Sequence, residues 1–259
     1  MESYAEIGEV DPKIEGIWRE TLEKGHRHRL SVLPGAPRCL GCRIPMKGLG
    51  GAIVGLATGR RQSRKNPNCC NYCDDHLPQG GAEVDIAVVF ADVRGSTGLA
   101  ERMGPKAFAE LLNRFYGAAM QALLPLEATI DKLVGDEVMA LFFPNIGPHY
   151  RANAVLAALQ LQRLLGCGSA AGPWIPVGIG VNAGTAFCGR IGSGDIHDFT
   201  ALGDTVNTGA RLQAAAKAGE IVIAEELYEA VAAQFPRAEK RTLDIRGREA
   251  RFEARVLMP

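Results

Sequence analysis

The stretch that decides the fold is IAVVFADVRGST, at residues 86–97. Its first part, Ile86 to Phe90, is a continuous apolar run with the length of a buried β-strand. Asp92 follows where this strand gives way to a turn, and Gly95-Ser96-Thr97 can open a helix whose N–H groups cradle phosphates. A carboxylate in this position suits a divalent cation that carries phosphates, although Asp is also common as an ordinary turn residue.

A second short motif, KLVGDE at residues 132–137, repeats the arrangement. The segments Thr129 to Val134 and Val138 to Phe143 are typical of two strands joined by a tight turn at Gly135-Asp136. Asp136 would then lie at a hairpin tip beside the neighbouring strand that ends at Asp92. Hard cations such as Mg²⁺ prefer carboxylate oxygens, so the two aspartates form a candidate metal site. These two motifs alone leave open whether they bind metal or only cap turns.

A third segment, FTALGDTVNTGAR at residues 199–211, places polar side chains on a helix that begins near Thr205. Asn207 and Arg211 are four residues apart and therefore share one face of that helix. An amide and a guanidinium on one face suit a ribose and a phosphoryl group. A helix whose polar face simply meets water is the alternative.

The order of the regular segments predicts the fold class. Strands and helices follow one another as βαββαβ, which indicates an α+β, ferredoxin-like sheet with helices on one face. The further predicted elements are helices at Pro105–Leu124, His149–Leu165 and Thr205–Lys217, strands at Val177–Val181, Thr185–Ile191 and Ile221–Ala224, and a closing hairpin within Leu243–Leu257.

Length and charge limit the function classes. The chain has 259 residues and is 47% hydrophobic, enough for one domain of good size plus an appendage. Lys+Arg and Asp+Glu are both 29, which argues against a nucleic-acid binder driven by bulk charge. With Lys47 left aside, the longest uncharged apolar run is Met46 to Thr58, too short to cross a bilayer. The acidic N-terminus lacks the pattern of a signal peptide, so we predict a cytoplasmic protein without membrane insertion.

The first 80 residues form a distinct region that contains five of the seven cysteines. Cys39-Leu-Gly-Cys42 and Cys70-Asn-Tyr-Cys73 are two C-x-x-C knuckles that could supply four thiolates to one structural zinc ion. An iron–sulfur cluster accepts the same four ligands and is the second choice. We predict a helix and Cys-rich region at residues 1–80, a linker at Pro78–Gly81, and a second domain at 82–257.

The three motifs together, in order and spacing, resemble the class III nucleotidyl cyclases over about residues 83–257. The resemblance implies that residues 82–257 are a catalytic domain that cyclises a nucleoside triphosphate. Asp92 and Asp136 match the two aspartates that bridge two Mg²⁺ or Mn²⁺ ions in this family. Val93 matches a position that contributes its backbone to the same metal site.

The resemblance also implies a substrate. Lys132 falls at the position that recognises the purine, with Thr200 as its partner, and Lys with Thr or Asp is the adenine-selective pattern. Guanylyl cyclases tend to carry Glu and Cys there. A Lys ammonium can donate to adenine N1 but meets a donor at guanine N1–H. The sequence therefore predicts an adenylate cyclase that makes 3′,5′-cyclic AMP and pyrophosphate from ATP.

The remaining roles follow from the resemblance as well. Asn207 matches the residue that orients the ribose, and Arg211 the one that stabilises charge at the α-phosphate. Arg246 falls where the family places a basic residue on the triphosphate. Because the family builds each site from two subunits, the resemblance implies a homodimer with two sites and an inactive monomer.

One departure from the family is visible. Relatives often carry an arginine shortly before the threonine of the third motif, but residues 194–198 read GDIHD. Arg190 or His197 are possible substitutes. This departure keeps open a weak or silent nucleotide-binding signalling module, and a guanylyl or dual-specificity cyclase is the other alternative. No side chain stands out as a general base.

Overall fold

A computed structural model describes residues 11–25, 28–64, 66–193, 196–244 and 251–259, with backbone alone at 193, 196 and 197. Its strands form one eight-stranded sheet in the order β2-β3-β1-β4-β6-β8-β7, with β5 paired to β4. The order of the first four strands, 2-3-1-4, is that of a ferredoxin-like βαββαβ unit, so the predicted fold class is confirmed. The strands are β1 Gly80–Val93, β2 Thr129–Val134, β3 Glu137–Phe142, β4 Val177–Ser193, β5 Ile196–Leu202, β6 Ile221–Ala224, β7 Glu239–Leu243 and β8 Phe252–Leu257.

The helices lie close to the predicted positions. Asp11 caps the first helix through a hydrogen bond from the Lys13 N–H, and a π-helical turn at Glu20–Lys24 continues this helix to Gly25. Short 3-10 turns occur at Arg29–Val32, Leu124–Leu126 and Pro144–Ile146. The α-helices are α1 Pro12–Arg19, α2 Gly48–Thr58, α3 Asn71–His76, α4 Ser96–Met103, α5 Pro105–Leu123, α6 Tyr150–Leu164, α7 Asp204–Ala215 and α8 Glu225–Tyr228.

Both faces of the sheet are covered, so the prediction of helices on one face is wrong. Ala87 and Val89 of β1 belong to a core with α5 and α6. Val88 and Phe90 point to the opposite face, where the N-terminal region and α7 lie against them. The physical reason is that β1 is apolar at successive positions, and a strand of that kind is buried on both sides.

Two strand boundaries also differ from the prediction. The predicted strands Val177–Val181 and Thr185–Ile191 are one strand, β4, because β1 offers hydrogen-bonding partners along its whole length, from Gly80 to Val93. Gly80 and Gly81 are therefore strand residues and not part of a linker. A side chain at Gly81 would come within 2.4 Å of the Cys188 carbonyl oxygen, so the close approach of β4 requires glycine.

The N-terminal region shares an apolar core with the sheet. Trp18 stacks on Phe199 of β5 at 5.7 Å between ring centroids, and its indole N–H donates to the Pro78 carbonyl. The Asn68 amide donates to the Ile130 carbonyl of β2 at 2.7 Å. The division of the chain into two functional regions at residue 80 stays a prediction. In the structure, residues from both sides of this boundary pack into one apolar core.

No helix within the described ranges is both long and apolar enough to span a bilayer. The predicted cytoplasmic location stays a prediction.

Candidate functional site

Asp92 and Asp136 lie next to each other at one end of the sheet. Asp92 is opposite Glu137 in the β1–β3 pairing, and Asp136 occupies the turn that joins β2 to β3. The Val93 N–H donates to the Asp136 carbonyl at 3.3 Å, which holds the turn against the end of β1. The end of β1 and the two-residue turn between β2 and β3 thus bring together two carboxylates that are far apart in sequence.

The electrostatics of this corner suit a cation. Burial raises the pKa of Asp92, and the negative charge of Asp136 raises it further, while Arg94 at 3.3 Å opposes both effects. Burial followed by the charges of Asp92 and Asp136 raises the pKa of Glu137 as well. Crowded carboxylates of this kind are stabilised by a hard divalent ion, so the donor set fits Mg²⁺ or Mn²⁺.

The turn after β1 is open toward an anion. Gly95 has φ = 69°, a left-handed conformation that favours glycine, and it begins α4 without a side-chain cap. The first N–H groups of this helix, at Ser96 and Thr97, are therefore available to a phosphate next to Asp92.

A second cluster forms where β2 meets β5. Lys132 Nζ donates to Thr200 Oγ1 at 3.1 Å and to Asp198 Oδ2 at 3.0 Å. Thr200 Oγ1 in turn donates to Asp131 Oδ2 at 3.0 Å. The structure thus brings together Lys132 and Thr200, which the sequence placed in one role, and adds two carboxylates that the sequence argument missed.

Asp131 is the more unusual of these two carboxylates. Its side chain is 0% exposed, and burial raises its pKa to about 6. Its position directly before Lys132 was the only signal in the sequence, and a strand pattern by itself does not distinguish a buried aspartate from an exposed one.

Asn207 and Arg211 share the outer face of α7, as their spacing predicted. Asn207 is exposed and Arg211 is half-buried, whereas Thr208 and Leu212 on the inner face are fully buried. The two polar side chains therefore point away from the sheet of their own chain.

The structure tests one of the two possible substitutes for the missing arginine, Arg190. Arg190 is 9% exposed and donates to the Asp74 carboxylate at 2.7 Å and to the Leu77 carbonyl at 2.9 Å. It is committed to the N-terminal region, so its suggested role as a triphosphate ligand is wrong. Arg246 and the side chain of His197 lie outside the described residues.

The four knuckle cysteines converge on one point. The Sγ atoms of Cys39, Cys42, Cys70 and Cys73 all lie within 4.8 Å of one another, and Cys42 and Cys70 are 3.8 Å apart. The Cys70 N–H donates to Cys39 Sγ at 3.2 Å. Hydrogen bonding from the Cys39 thiol is the largest effect that lowers the pKa of Cys70, to about 7. The cluster can therefore present thiolate to a metal.

Residues 81–257, more than half of the chain, match the family described as "Adenylate and Guanylate cyclase catalytic domain". The chain belongs to the class III nucleotidyl cyclase family. Similarity to solved cyclase domains agrees with this assignment. The adenylyl cyclase CyaB from P. aeruginosa is 26% identical with a TM-score of 0.58, covering 68% of this chain and 95% of that one. The guanylyl cyclase Cya2 has a TM-score of 0.60 at 24% identity, covering 69% and 93%, and supports the fold.

Curated relatives of this cyclase domain are larger proteins. The terminal-differentiation-specific adenylate cyclase of Dictyostelium discoideum is 32% identical over 56% of this chain, and the adenylate cyclase of Anabaena cylindrica is 30% identical over 54%. The matched regions span only 7% and 30% of those two proteins. Membership of the family is therefore shown for residues 81–257, and these similarities do not distinguish ATP from GTP as the substrate.

Proposed function

We propose that this cyclase is an adenylate cyclase that converts ATP into 3′,5′-cyclic AMP and pyrophosphate. The observation that carries the proposal is the contact between Lys132 and Thr200. A lysine ammonium has three N–H donors, and Thr200 and Asp198 use two of them. Asp131 Oδ2 forms an ion pair with the same ammonium at 3.6 Å, beyond hydrogen-bond distance. The third N–H can therefore turn toward adenine N1, an acceptor, whereas guanine carries a proton on N1 that would oppose it.

The carboxylate corner would hold the triphosphate end through two Mg²⁺ or Mn²⁺ ions on Asp92 and Asp136, with the backbone of Val93 beside them. When bound, such ions supply activation of the ribose 3′-hydroxyl and neutralise charge on the leaving pyrophosphate. The N–H groups of Ser96 and Thr97, after the Gly95 turn, would bind phosphate oxygens. This arrangement serves an in-line attack without a side-chain general base.

We also propose that the working unit is a homodimer. Asn207 and Arg211 are on the face of α7 that is turned away from their own sheet, which favours a role toward a second chain. There, Asn207 would orient the ribose and Arg211 would stabilise charge at the α-phosphate. Arg246 stays a predicted triphosphate ligand.

The direct test is to incubate the purified full chain with ATP or GTP and Mn²⁺ and to measure cyclic nucleotides by mass spectrometry. We expect cyclic AMP from ATP, and at least tenfold less cyclic GMP from GTP. Absence of product from both nucleotides would reject the enzyme in favour of a silent nucleotide-binding module. Preferential cyclic GMP formation would reject the adenine preference alone.

The shared site has its own test. Asp92→Ala and Arg211→Ala proteins should each be inactive while their melting temperatures stay near that of the wild type. Mixing them in equal amounts should restore about a quarter of wild-type activity, because half of the randomly formed dimers are heterodimers with one intact site. No recovery from two folded, dimeric variants would reject the two-chain site.

For the cysteine cluster we propose one Zn²⁺ bound by Cys39, Cys42, Cys70 and Cys73. With Zn–S bonds of about 2.3 Å, a tetrahedron places its sulfur atoms about 3.8 Å apart, close to the separation of Cys42 and Cys70. A cubane iron–sulfur cluster needs its thiolates further apart, because each binds a different iron atom. Elemental analysis of anaerobically purified protein should give one zinc per chain and no visible absorption band. Iron with a charge-transfer band would reject zinc.

A further inference from the structure

We infer that Asp131 sets the base preference of this cyclase by fixing the direction in which the Thr200 hydroxyl donates its proton. The inference rests on the proposed function and names a positioning residue for it. Asp131 would not touch the nucleotide, since it acts through Thr200.

The direction of each hydrogen bond follows from the chemistry of the groups. An ionised carboxylate only accepts and an ammonium only donates. The proton between Thr200 Oγ1 and Asp131 Oδ2, 3.0 Å apart, must therefore come from Thr200. The proton between Lys132 Nζ and Thr200 Oγ1, 3.1 Å apart, must come from Lys132.

This leaves Thr200 with one free lone pair and no free proton. The pair thus presents a donor at Lys132 next to an acceptor at Thr200. Adenine offers the complement, an acceptor at N1 next to an N6–H donor, and guanine offers the reverse, a donor at N1 next to the O6 acceptor. Without Asp131, the hydroxyl could rotate and donate to guanine O6, so half of the discrimination would disappear.

The burial of Asp131 indicates that this residue does not serve to stabilise the fold. Its Oδ1 atom is buried and has no hydrogen-bond partner in the described part of the chain. A buried carboxylate with an unpaired oxygen is unfavourable for folding. The titratable groups that act on Asp131 are Lys132 on its own strand, Asp198 on β5 and Cys188 on β4.

The test is the ratio of kcat/KM for ATP to that for GTP. Asp131→Ala should lower this ratio about tenfold, chiefly by raising activity with GTP. Asp198→Ala is the matched control, because Asp198 also accepts from Lys132 but is 67% exposed and does not hold Thr200. Asp198→Ala should leave the ratio of kcat/KM for ATP to that for GTP within about twofold of the wild-type ratio.

A double variant separates positioning from packing. In a Thr200→Val background there is no hydroxyl to orient, so adding Asp131→Ala should not change the ratio further. An active Asp131→Ala protein with the wild-type ratio would overturn the inference, and so would an equal change in both backgrounds. If the wild type makes no cyclic nucleotide, the proposed function fails first.

A pH profile of the wild type keeps the inference testable even if Asp131→Ala does not fold. Protonated Asp131 can donate to Thr200 and release the hydroxyl proton toward the base. The ATP preference should therefore fall by severalfold as the pH drops through about 6, the raised pKa of Asp131. The two substrates share the same triphosphate, so its titration cancels in the ratio. A ratio that is constant from pH 5 to 8 would overturn the inference.

Discussion

Asp131 is a carboxyl group with no solvent exposure, and its raised pKa has a consequence for stability. A group whose pKa is raised on folding stabilises the protein fully below its ordinary value of 3.8, and this contribution is lost as the pH rises through about 6. Asp131→Asn, which removes the ionisation, should therefore stabilise the protein by about 3 kcal/mol at pH 8 and by much less near pH 4. Urea unfolding at both pH values measures this difference.

The matched control for that experiment is Glu229→Gln, which neutralises an exposed carboxylate. It should change the free energy of unfolding equally little at both pH values. An Asp131→Asn protein with the same stability change at pH 4 and pH 8 would contradict the burial argument.

Arg190 and Asp74 form a buried ion pair, with side chains 9% and 4% exposed. Removal of one partner leaves the other charged and unpaired in the interior, so Arg190→Ala should lower the free energy of unfolding by about 3–5 kcal/mol. The surface pair Lys240–Glu253 serves as control, and Lys240→Ala should leave the melting temperature unchanged. Equal effects of the two substitutions would show that the N-terminal region is not held through Arg190.

At the scale of elements, the position of α7 depends on Gly180 in β4. A side chain there would lie 2.2 Å from the Gln213 nitrogen and 2.5 Å from the Gly209 carbonyl oxygen, both in α7. Because these are backbone atoms, Gly180→Ala must displace the helix, and with it Asn207 and Arg211. We expect a loss of about 3 kcal/mol or more in stability and a loss of cyclase activity.

Gly117 in α5 is the control for Gly180, because an added methyl group there would meet nothing within 4 Å. Gly117→Ala should stabilise the protein by up to about 1 kcal/mol through helix propensity alone. Thermal unfolding and cyclase activity of both variants test the difference. A neutral Gly180→Ala would show that α7 tolerates a shift away from the sheet.

The two cysteine knuckles are held together through their thiols, so the proposed zinc should matter for the whole N-terminal region. Cys42→Ser should destabilise the protein by about 4 kcal/mol or more, or about 10 °C in melting temperature. Cys167→Ser should have little effect, since a hydroxyl can keep the bond that Cys167 donates to Gln162. Similar melting temperatures for the two variants would argue against a structural metal.

At the scale of the whole molecule, periodicity predicted the long helices and the strands β2, β3 and β6 within one or two residues. It could do so because each of these elements carries a local pattern, whereas β1 extends well beyond its predicted apolar run of Ile86 to Phe90. The one-sided packing and the split of β4 were predicted wrongly because both depend on pairing between distant segments. Gly81 shows the limit, since only its approach to β4 distinguishes it from a linker glycine.

The candidate site also contains residues that local motifs predicted and residues whose contacts lie far away in the sequence. Asp92, Asp136, Lys132 and Thr200 were found from motifs, and the structure places them in two clusters. Asp131 was missed, because its contact with Thr200 of β5 joins residues that are 69 positions apart in the sequence. Arg190 was offered as a possible substitute for the missing arginine for a similar reason, since nothing in the sequence near it indicates a partner 116 residues earlier.

That separation has a consequence for how the protein is made. At about 5–20 residues per second, roughly 6 to 23 seconds pass on the ribosome between the synthesis of Asp74 and that of Arg190. Until β4 and β5 are made, Trp18, Leu22 and the knuckles lack the residues that these two strands supply to their shared core. Early capture of the metal would give the nascent N-terminal segment a compact form before its partner exists. Zinc that is present during translation would then increase the yield of soluble protein more than zinc that is added to the finished chain.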